Sequence, residues 1–341
     1  MFSDAILIGL DIGSESIKMV ECVRRKNQTA LQTYGLAQHQ IDLSGYWDAT
    51  RLRQVSIVID EIMKSGNFKG IKTVVGVQSK DVFVSILDFE AGWSDALIQK
   101  EIDRQAPYFL PHPPDEMRVS WRKLEEDPRI HEYTGKQRVL VNALPDFVIE
   151  NSKNLLEHIN LDGVALENQT ISQIRAALSP DQGNTVLVDI GGNYTTFSLI
   201  VDGILRSSTY VNIGLDNLTA SLEKALGVKP AVAESFRRDL GLINLYELPD
   251  EISQAYTTLK SELDSFVELK RRASQKPDKV ILTGGGVNSV GLLEYFAKYP
   301  IPVYKANNLR TLKVPPYLQP YVYPLANQLS TAIGLSLRED V

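Results

Sequence analysis

Near the start of the chain, apolar residues fall in short runs separated by turn residues. They predict a meander of three strands over Ile6 to Ile12, Ser16 to Val23 and about Ala30 to Gln38. The period then changes. Leu52, Val55, Ile59, Ile62 and Met63 recur at helical spacing, predicting a helix from Trp47 to Lys64 that Asp48 or Thr50 caps and Gly66 stops. Thr73 to Val77 is a short apolar strand of the kind found inside parallel sheets.

From Val82 to Leu87 another strand is predicted, followed by an amphipathic helix over Trp93 to Tyr108 that carries Leu97, Ile98, Ile102 and Ala106 on one face. It runs into Pro107, Pro111, Pro113 and Pro114. Strands over Met117 to Leu124 and Arg138 to Ala143 flank the polar stretch Glu125 to Lys136, which together read as a small inserted subdomain. A helix over Pro145 to Ile159, a strand over Gly163 to Glu167 and a helix over Thr170 to Leu178 then lead to the loop Ser179 to Asn184, the best boundary between halves. Beyond it the opening pattern repeats in strands Thr185 to Ile190, Thr195 to Val201 and Ile204 to Val211, followed by helices.

The repeat extends to the turns. Leu10-Asp11-Ile12-Gly13-Ser14-Glu15-Ser16-Ile17-Lys18 and Leu187-Val188-Asp189-Ile190-Gly191-Gly192-Asn193-Tyr194-Thr195-Thr196 lie about 175 residues apart, each between two apolar strands. An Asp at the end of a buried strand can hold a hydrated divalent cation, and N–H groups of a tight turn point at phosphate oxygens. Either turn alone is also an ordinary hairpin, since Asp and Gly are common turn residues. A third element is Val280-Ile281-Leu282-Thr283-Gly284-Gly285-Gly286, a strand running into three glycines and then an amphipathic segment from Gly291 to Lys298. Residues without Cβ let the backbone lie against a planar ligand. In this order the three elements resemble the phosphate 1, phosphate 2 and adenosine motifs of the actin-like ATPases.

The 341 residues suit two domains, and 43% apolar against 23% charged residues exclude bulk disorder. A net charge of −6 argues against non-specific nucleic-acid binding. The single cysteine, Cys22, lies in an apolar strand and reads as packing, and His39, His112, His131 and His158 have no zinc-site spacing. Without a signal peptide or a spanning apolar run, the chain is expected in the cytoplasm unless a partner holds it to a membrane.

Five stretches carry a more specific resemblance, to the PilM family of type IV pilus assembly. They are the opening hairpin Gly9 to Glu21; Glu101 to Glu116, with its helix and prolines; Asp189-Ile190-Gly191 with Thr195-Thr196; the three glycines; and the ending Ala332 to Arg338. The resemblance implies an α/β, actin-like, duplicated ribonuclease H-like two-domain fold with an FtsA/PilM-type inserted 1C subdomain. Domain I (1A) would span 1–82 and 145–180, 1C 83–144, domain II (2A/2B) 181–325, and a C-terminal helix over 326–341 would return to domain I.

It implies ATP or ADP with Mg²⁺ as ligands. Asp11 and Asp189 would face each other across an interdomain cleft and hold Mg²⁺ through waters, since Mg²⁺ sheds water reluctantly. Gly13, Ser14, Glu15, Ser16 and Lys18 would line the β- and γ-phosphates from one side, with Gly191, Gly192, Asn193 and Gly214 on the other. Gly284, Gly285 and Gly286 would bind adenosine, with Asn288 near the base or α-phosphate. Glu234 and Arg237, one helical turn apart, resemble a ribose-contacting pair and read equally as a surface ion pair. Glu167 is the one residue that can be named for orienting water, and structural hydrogen bonding is the commoner use of such a group. Departures from the family pattern bear on turnover: Leu215 replaces a second glycine after Gly214, Ser208-Thr209-Tyr210 lacks an expected Arg, and Glu167 stands where Asp is usual. Hydrolysis is therefore expected to be weak or absent.

As partner the resemblance implies the N-terminal cytoplasmic peptide of a PilN-like inner-membrane protein, bound in the first half beside the inserted subdomain, with Val82 to Leu87 and Trp93 to Tyr108 as the elements to examine. Other pilus assembly proteins and self-association are further candidates. Two alternatives stay open. One is a filament-forming protein of the FtsA type, disfavoured because no amphipathic tail follows Arg338. The other is a small-molecule kinase of the sugar-kinase superfamily, for which no acceptor-binding segment stands out.

Overall fold

A computed structural model describes residues 5–26, 28–124, 136–179, 183–240, 250–273 and 275–339. The opening meander forms as its pattern predicts: β1 (Ala5–Ile12), β2 (Ser16–Arg25) and β3 (Gln28–Gln38) pair antiparallel in sequence. Helix α1 (Ala49–Gly66) follows, with the Asp48 carboxylate accepting the Arg51 N–H at 2.7 Å as its cap. It runs through Gly66 and is capped at Asn67. Asn67 takes the left-handed conformation (φ 52°), while its N–H and that of Phe68 bond the carbonyls of Lys64 and Met63. Asn tolerates that conformation, so the terminating role expected of Gly66 falls to its neighbour.

Strand β4 (Lys72–Val77) runs parallel to β1, which is why every position of β4 after Lys72 is buried. The inserted segment then forms its own sheet from β5 (Phe83–Glu90), β6 (Met117–Lys123) and β7 (Lys136–Pro145), in the order β5-β7-β6. Helix α2 (Asp95–Phe109) covers it, with Ile98 and Ile102 packed on Phe89, Val139 and Val141. Helix α3 (Asp146–His158), strand β8 (Asp162–Asn168) and helix α4 (Gln169–Ala177) return the chain to the first sheet.

In the second half β9 (Thr185–Ile190), β10 (Thr195–Val201) and β11 (Ile204–Val211) repeat the meander. Helices α5 (Leu215–Leu226), α6 (Pro230–Leu240) and α7 (Asp250–Arg272) precede β12 (Lys279–Thr283), which lies parallel to β9. After helix α8 (Leu292–Tyr295) the edge strand β13 (Val303–Lys305) completes the order β11-β10-β9-β12-β13. The first sheet reads β3-β2-β1-β4-β8 in the same direction, so the duplication suggested by the turns is a duplication of whole sheets.

Helix α8 is shorter than the amphipathic segment Gly291 to Lys298 predicts. Leu292 and Phe296 are buried, but Leu293 is 38% exposed, so the apolar face closes after one turn. The chain also rejoins the first half earlier than 326. Strand β14 (Leu312–Lys313) pairs with β3, and Leu309, Leu312 and Val314 pack with Val20, Cys22 and Leu31. After helix α9 (Gln319–Val322), helix α10 (Ser330–Ser336) is buried at every position, between α4 and the first sheet. Leu329, Ala332, Ile333 and Leu337 complete that apolar cluster. Among the described residues no helix is long and apolar enough to cross a membrane. Residues 125–135 of the polar stretch after Leu124, the centre of the boundary loop at 180–182, and residues 340–341 lie outside the described residues.

Candidate functional site

The two acidic hairpins have the same backbone. In the first, the Gly13 N–H donates to the Ser16 carbonyl at 3.1 Å; in the second, the Gly191 N–H donates to the Tyr194 carbonyl, also at 3.1 Å. Each turn places an Asp two residues before its glycine, at the end of the sheet's central strand. Both tips open on one polar crevice of about 660 Å³, which Gly284 and Gly285 line from a third direction.

Asp11 is 3% exposed and accepts from Lys18 Nζ at 3.2 Å and from Gln169 Nε2 at 2.7 Å. Asp189 accepts from Gln173 Nε2 at 2.8 Å, and the same amide reaches Thr331 Oγ1 at 3.1 Å. Gln169 and Gln173 lie one turn apart on α4, so a single helix grips the carboxylate of each lobe. Burial pushes the Asp189 pKa up and the Asp11 charge adds to the rise, against the Gln173 hydrogen bond and the Lys18 charge. Gly284 has φ +88°, and a Cβ there would lie 2.2 Å from Asp189 Oδ1. Both constraints require glycine.

Beneath the first turn, His39 accepts the Ile41 N–H at Nδ1 (3.1 Å), so its proton sits on Nε2 and is donated to the Gly13 carbonyl (3.0 Å). Burial lowers its pKa, with the Lys18 charge acting the same way and the Gly13 bond opposing. Behind the second turn, the Leu215 and Asp216 N–H groups at the start of α5 are taken by the Gly191 and Gly192 carbonyls at 3.0 and 2.9 Å.

A family model described as "Type IV pilus assembly protein PilM" matches residues 9–340. The chain belongs to the PilM family. Its fold is similar to that of a solved PilM–PilN type IV pilus biogenesis complex, with a TM-score of 0.83 at 19% identity over 97% of this chain and 98% of that one. It is also similar to MreB5 of Spiroplasma citri bound to ADP, with a TM-score of 0.52 at 11% identity over 96% and 94% of the two chains. The fold of this PilM-family chain is thus the actin-like ATPase fold. Bacillus subtilis cell division protein FtsA is 31% identical over 93 residues, 26% of this chain, so the match spans about a fifth (21%) of that protein.

In this PilM-family chain the crevice gathers Asp11, Gly13, Ser14, Glu15, Ser16, Lys18, Asp189, Gly191, Gly192, Gly284 and Gly285. The remaining expected residues stand elsewhere. Asn193 is exposed at the second turn. Gly214 caps α5 and, with Gly286, lines a separate apolar pocket behind the crevice, while Leu215 enters the crevice itself. Glu234 accepts from Gln38 Nε2 at 3.4 Å, and Arg237 donates to Thr219 Oγ1 at 3.0 Å; neither lines the crevice. Asn288 is held by Lys305 Nζ at 3.0 Å and donates to the Pro324 carbonyl at 3.3 Å.

At Glu167 the structural reading is the one that the surroundings match. Its carboxylate is gripped by Arg175 at 2.7 and 2.8 Å and by Arg338 Nη1 at 3.2 Å, outside the crevice, where it ties β8 to α4 and the segment after α10. Gln169, Gln173 and Tyr194, whose hydroxyl is 3.4 Å from Gln169 Oε1, are crevice residues that sequence reasoning missed, as are Asn327, Gln328, Ser330 and Thr331. The signal was present in the i, i+4 spacing of two glutamines at the start of the helix joining the halves.

Proposed function

We propose that this PilM-family chain serves type IV pilus assembly as an ATP- or ADP-binding scaffold or switch that docks the N-terminal peptide of a PilN-like inner-membrane protein. The observation that carries the nucleotide half is the convergence of Asp11 and Asp189, one from each lobe, on a crevice lined by three glycine-bearing turns.

The residues present fit Mg²⁺ and a nucleotide. Two nearby carboxylates, Asp11 buried and Asp189 partly buried with its pKa raised by burial and by the charge of Asp11, are relieved by a cation. Among the described residues no three-ligand cluster of His, Cys, Asp or Glu forms a dedicated metal cage. Mg²⁺ suits such a site, because it keeps waters and takes phosphate oxygens as ligands. Asp11 and Asp189 would hold the ion through water, and bound Mg²⁺ would supply charge neutralisation for the phosphates. Ser14, Ser16, Lys18 and the turn amides would hold the phosphates, and Gly284 and Gly285 the adenosine. Weak or absent turnover belongs to the same reading: Glu167 is engaged by two arginines, and the polar group on α4 beside Asp11 is the neutral amide of Gln169.

For the peptide, β5 and α2 are the elements expected from the sequence, and their apolar residues Phe89, Ile98 and Ile102 are spent on the small sheet's own core. An open groove of about 780 Å³ lies instead between α3 and β8, with Ile149, Leu156, Leu161 and Leu166 in its walls. Strand β8 is an edge of the first sheet, so an extended peptide would add main-chain hydrogen bonds there and bury alternate side chains. Such a partner would hold the chain at the inner face of the membrane.

Calorimetric titration with Mg-ATP and Mg-ADP, and pull-down with PilN-type N-terminal peptides in the presence and absence of Mg-ATP, test the two halves. Saturable nucleotide heat and peptide retention are expected. Absence of both sinks the reading.

A further inference from the structure

We infer that Glu15 is a built-in surrogate for a terminal phosphate, setting this crevice to prefer a nucleoside diphosphate over a triphosphate; the inference rests on the nucleotide reading above. Glu15 is at the tip of the β1–β2 turn, and its carbonyl accepts the His39 N–H at 2.8 Å, which fixes the backbone from which the side chain departs. That side chain crosses to the other lobe. A Cβ built on Gly192 would lie 2.4 Å from Glu15 Cδ and 2.6 Å from Oε2, so the carboxyl group rests directly on the Gly192 backbone. Any larger residue at 192 would expel it. The space between the two turn tips is therefore filled by an anionic group of this chain.

The turn itself does not require the acid. The second hairpin forms the same Gly N–H to carbonyl bond with Asn193 at the position that corresponds to Glu15. Nor does the acid bond to anything on the way: no side-chain hydrogen bond or ion pair is formed by Glu15 among the described residues. Its carboxylate is a planar anion laid between two turns whose backbone suits phosphate oxygens, in a crevice that already holds Asp11 and Asp189 against the single cation of Lys18. A diphosphate leaves Glu15 where it is. A triphosphate needs the same volume for a second anion, and like charges within a few ångströms in a partly buried site repel strongly. The terminal phosphate must push Glu15 off Gly192 and out of the crevice before it can seat.

The test compares the wild type with Glu15→Gln, which keeps the shape and removes the charge, and Glu15→Ser, which removes both. Dissociation constants for Mg-ADP and Mg-ATP are measured by calorimetry on the full chain, with thermal melts to establish that each variant is folded. The wild type is expected to bind ADP more tightly than ATP. In Glu15→Gln the ATP-to-ADP affinity ratio is expected to move toward ATP by about tenfold, the order for removing one like-charge contact, and further in Glu15→Ser. An unchanged ratio in folded variants that still bind nucleotide overturns this inference alone. An equal loss of both nucleotides also overturns it, by making Glu15 a general anchor. Absence of any nucleotide binding in all three proteins overturns this inference and the nucleotide reading together.

Discussion

Opposite Asp11 on the paired strand stands Lys18; opposite Asp189 stands Thr196. The two hairpins share a turn, a strand register and a place in the sheet, yet only the first carries its own counter-ion, with Lys18 Nζ 3.2 Å from Asp11. The second carboxylate has an amide for company, and burial and the charge of Asp11 raise its pKa. Duplication has kept the backbone and divided the charge unequally. A cation arriving in the crevice has more to gain from the second lobe, whose acid nothing in its own hairpin neutralises.

The largest effect that would break this comparison is on cation-dependent nucleotide affinity. Asp189→Ala is expected to weaken Mg-ATP binding by about a hundredfold, roughly 3 kcal/mol. Asp11→Ala is expected to weaken it less, because the freed Lys18 can turn to the phosphates. Titrations with and without Mg²⁺ measure both, and equal losses would remove the asymmetry.

Stability of the ligand-free protein sharpens it with opposite signs. Lys18→Met leaves a buried Asp11 without its ion-pair partner and is expected to cost about 2 kcal/mol. Asp189→Asn removes a partly buried charge that Asp11 repels and is expected to stabilise by about 1 kcal/mol, raising Tm by about 2 °C in a chain of this size. Thermal unfolding without nucleotide decides. Both variants moving in the same direction would contradict the division of charge.

The smallest effect concerns His39, which underpins the first turn. Its folded pKa is lowered, chiefly by burial, so between that value and the ordinary imidazole value the unfolded chain binds the proton and the folded chain does not. Its contribution to stability is present above the ordinary value of about 6.5 and is lost as pH falls through that window. Urea midpoints at pH 7.5 and pH 5.5 are expected to differ less in His39→Gln than in the wild type.

Much of this was legible from the chain. Strands β9, β10 and β11 begin and end where their apolar runs do, and both acidic turns were read with their glycines in the crevice. Legibility failed where a side chain had to choose between distant neighbours. Nothing near Glu167 in sequence reveals Arg338, 171 residues on, which with Arg175 draws its carboxylate away from the crevice. Asn288, likewise, follows the three glycines closely but is bound to Lys305 and Pro324. The reverse error occurred at Gln169 and Gln173, neutral residues on a helix read only for its length. Their importance comes from lying against Asp11 and Asp189 at once.

Helix α10 has a consequence for how the molecule is made. The first lobe's apolar cluster of Val20, Cys22 and Leu31 is closed by Leu329, Ala332, Ile333 and Leu337, which leave the ribosome only after the whole second sheet has been synthesised. Domains generally fold as units during synthesis, and here the second lobe has all its strands in hand before the first has its last wall. The half that begins the chain is therefore the half that waits, with an apolar surface that nascent-chain chaperones have reason to cover.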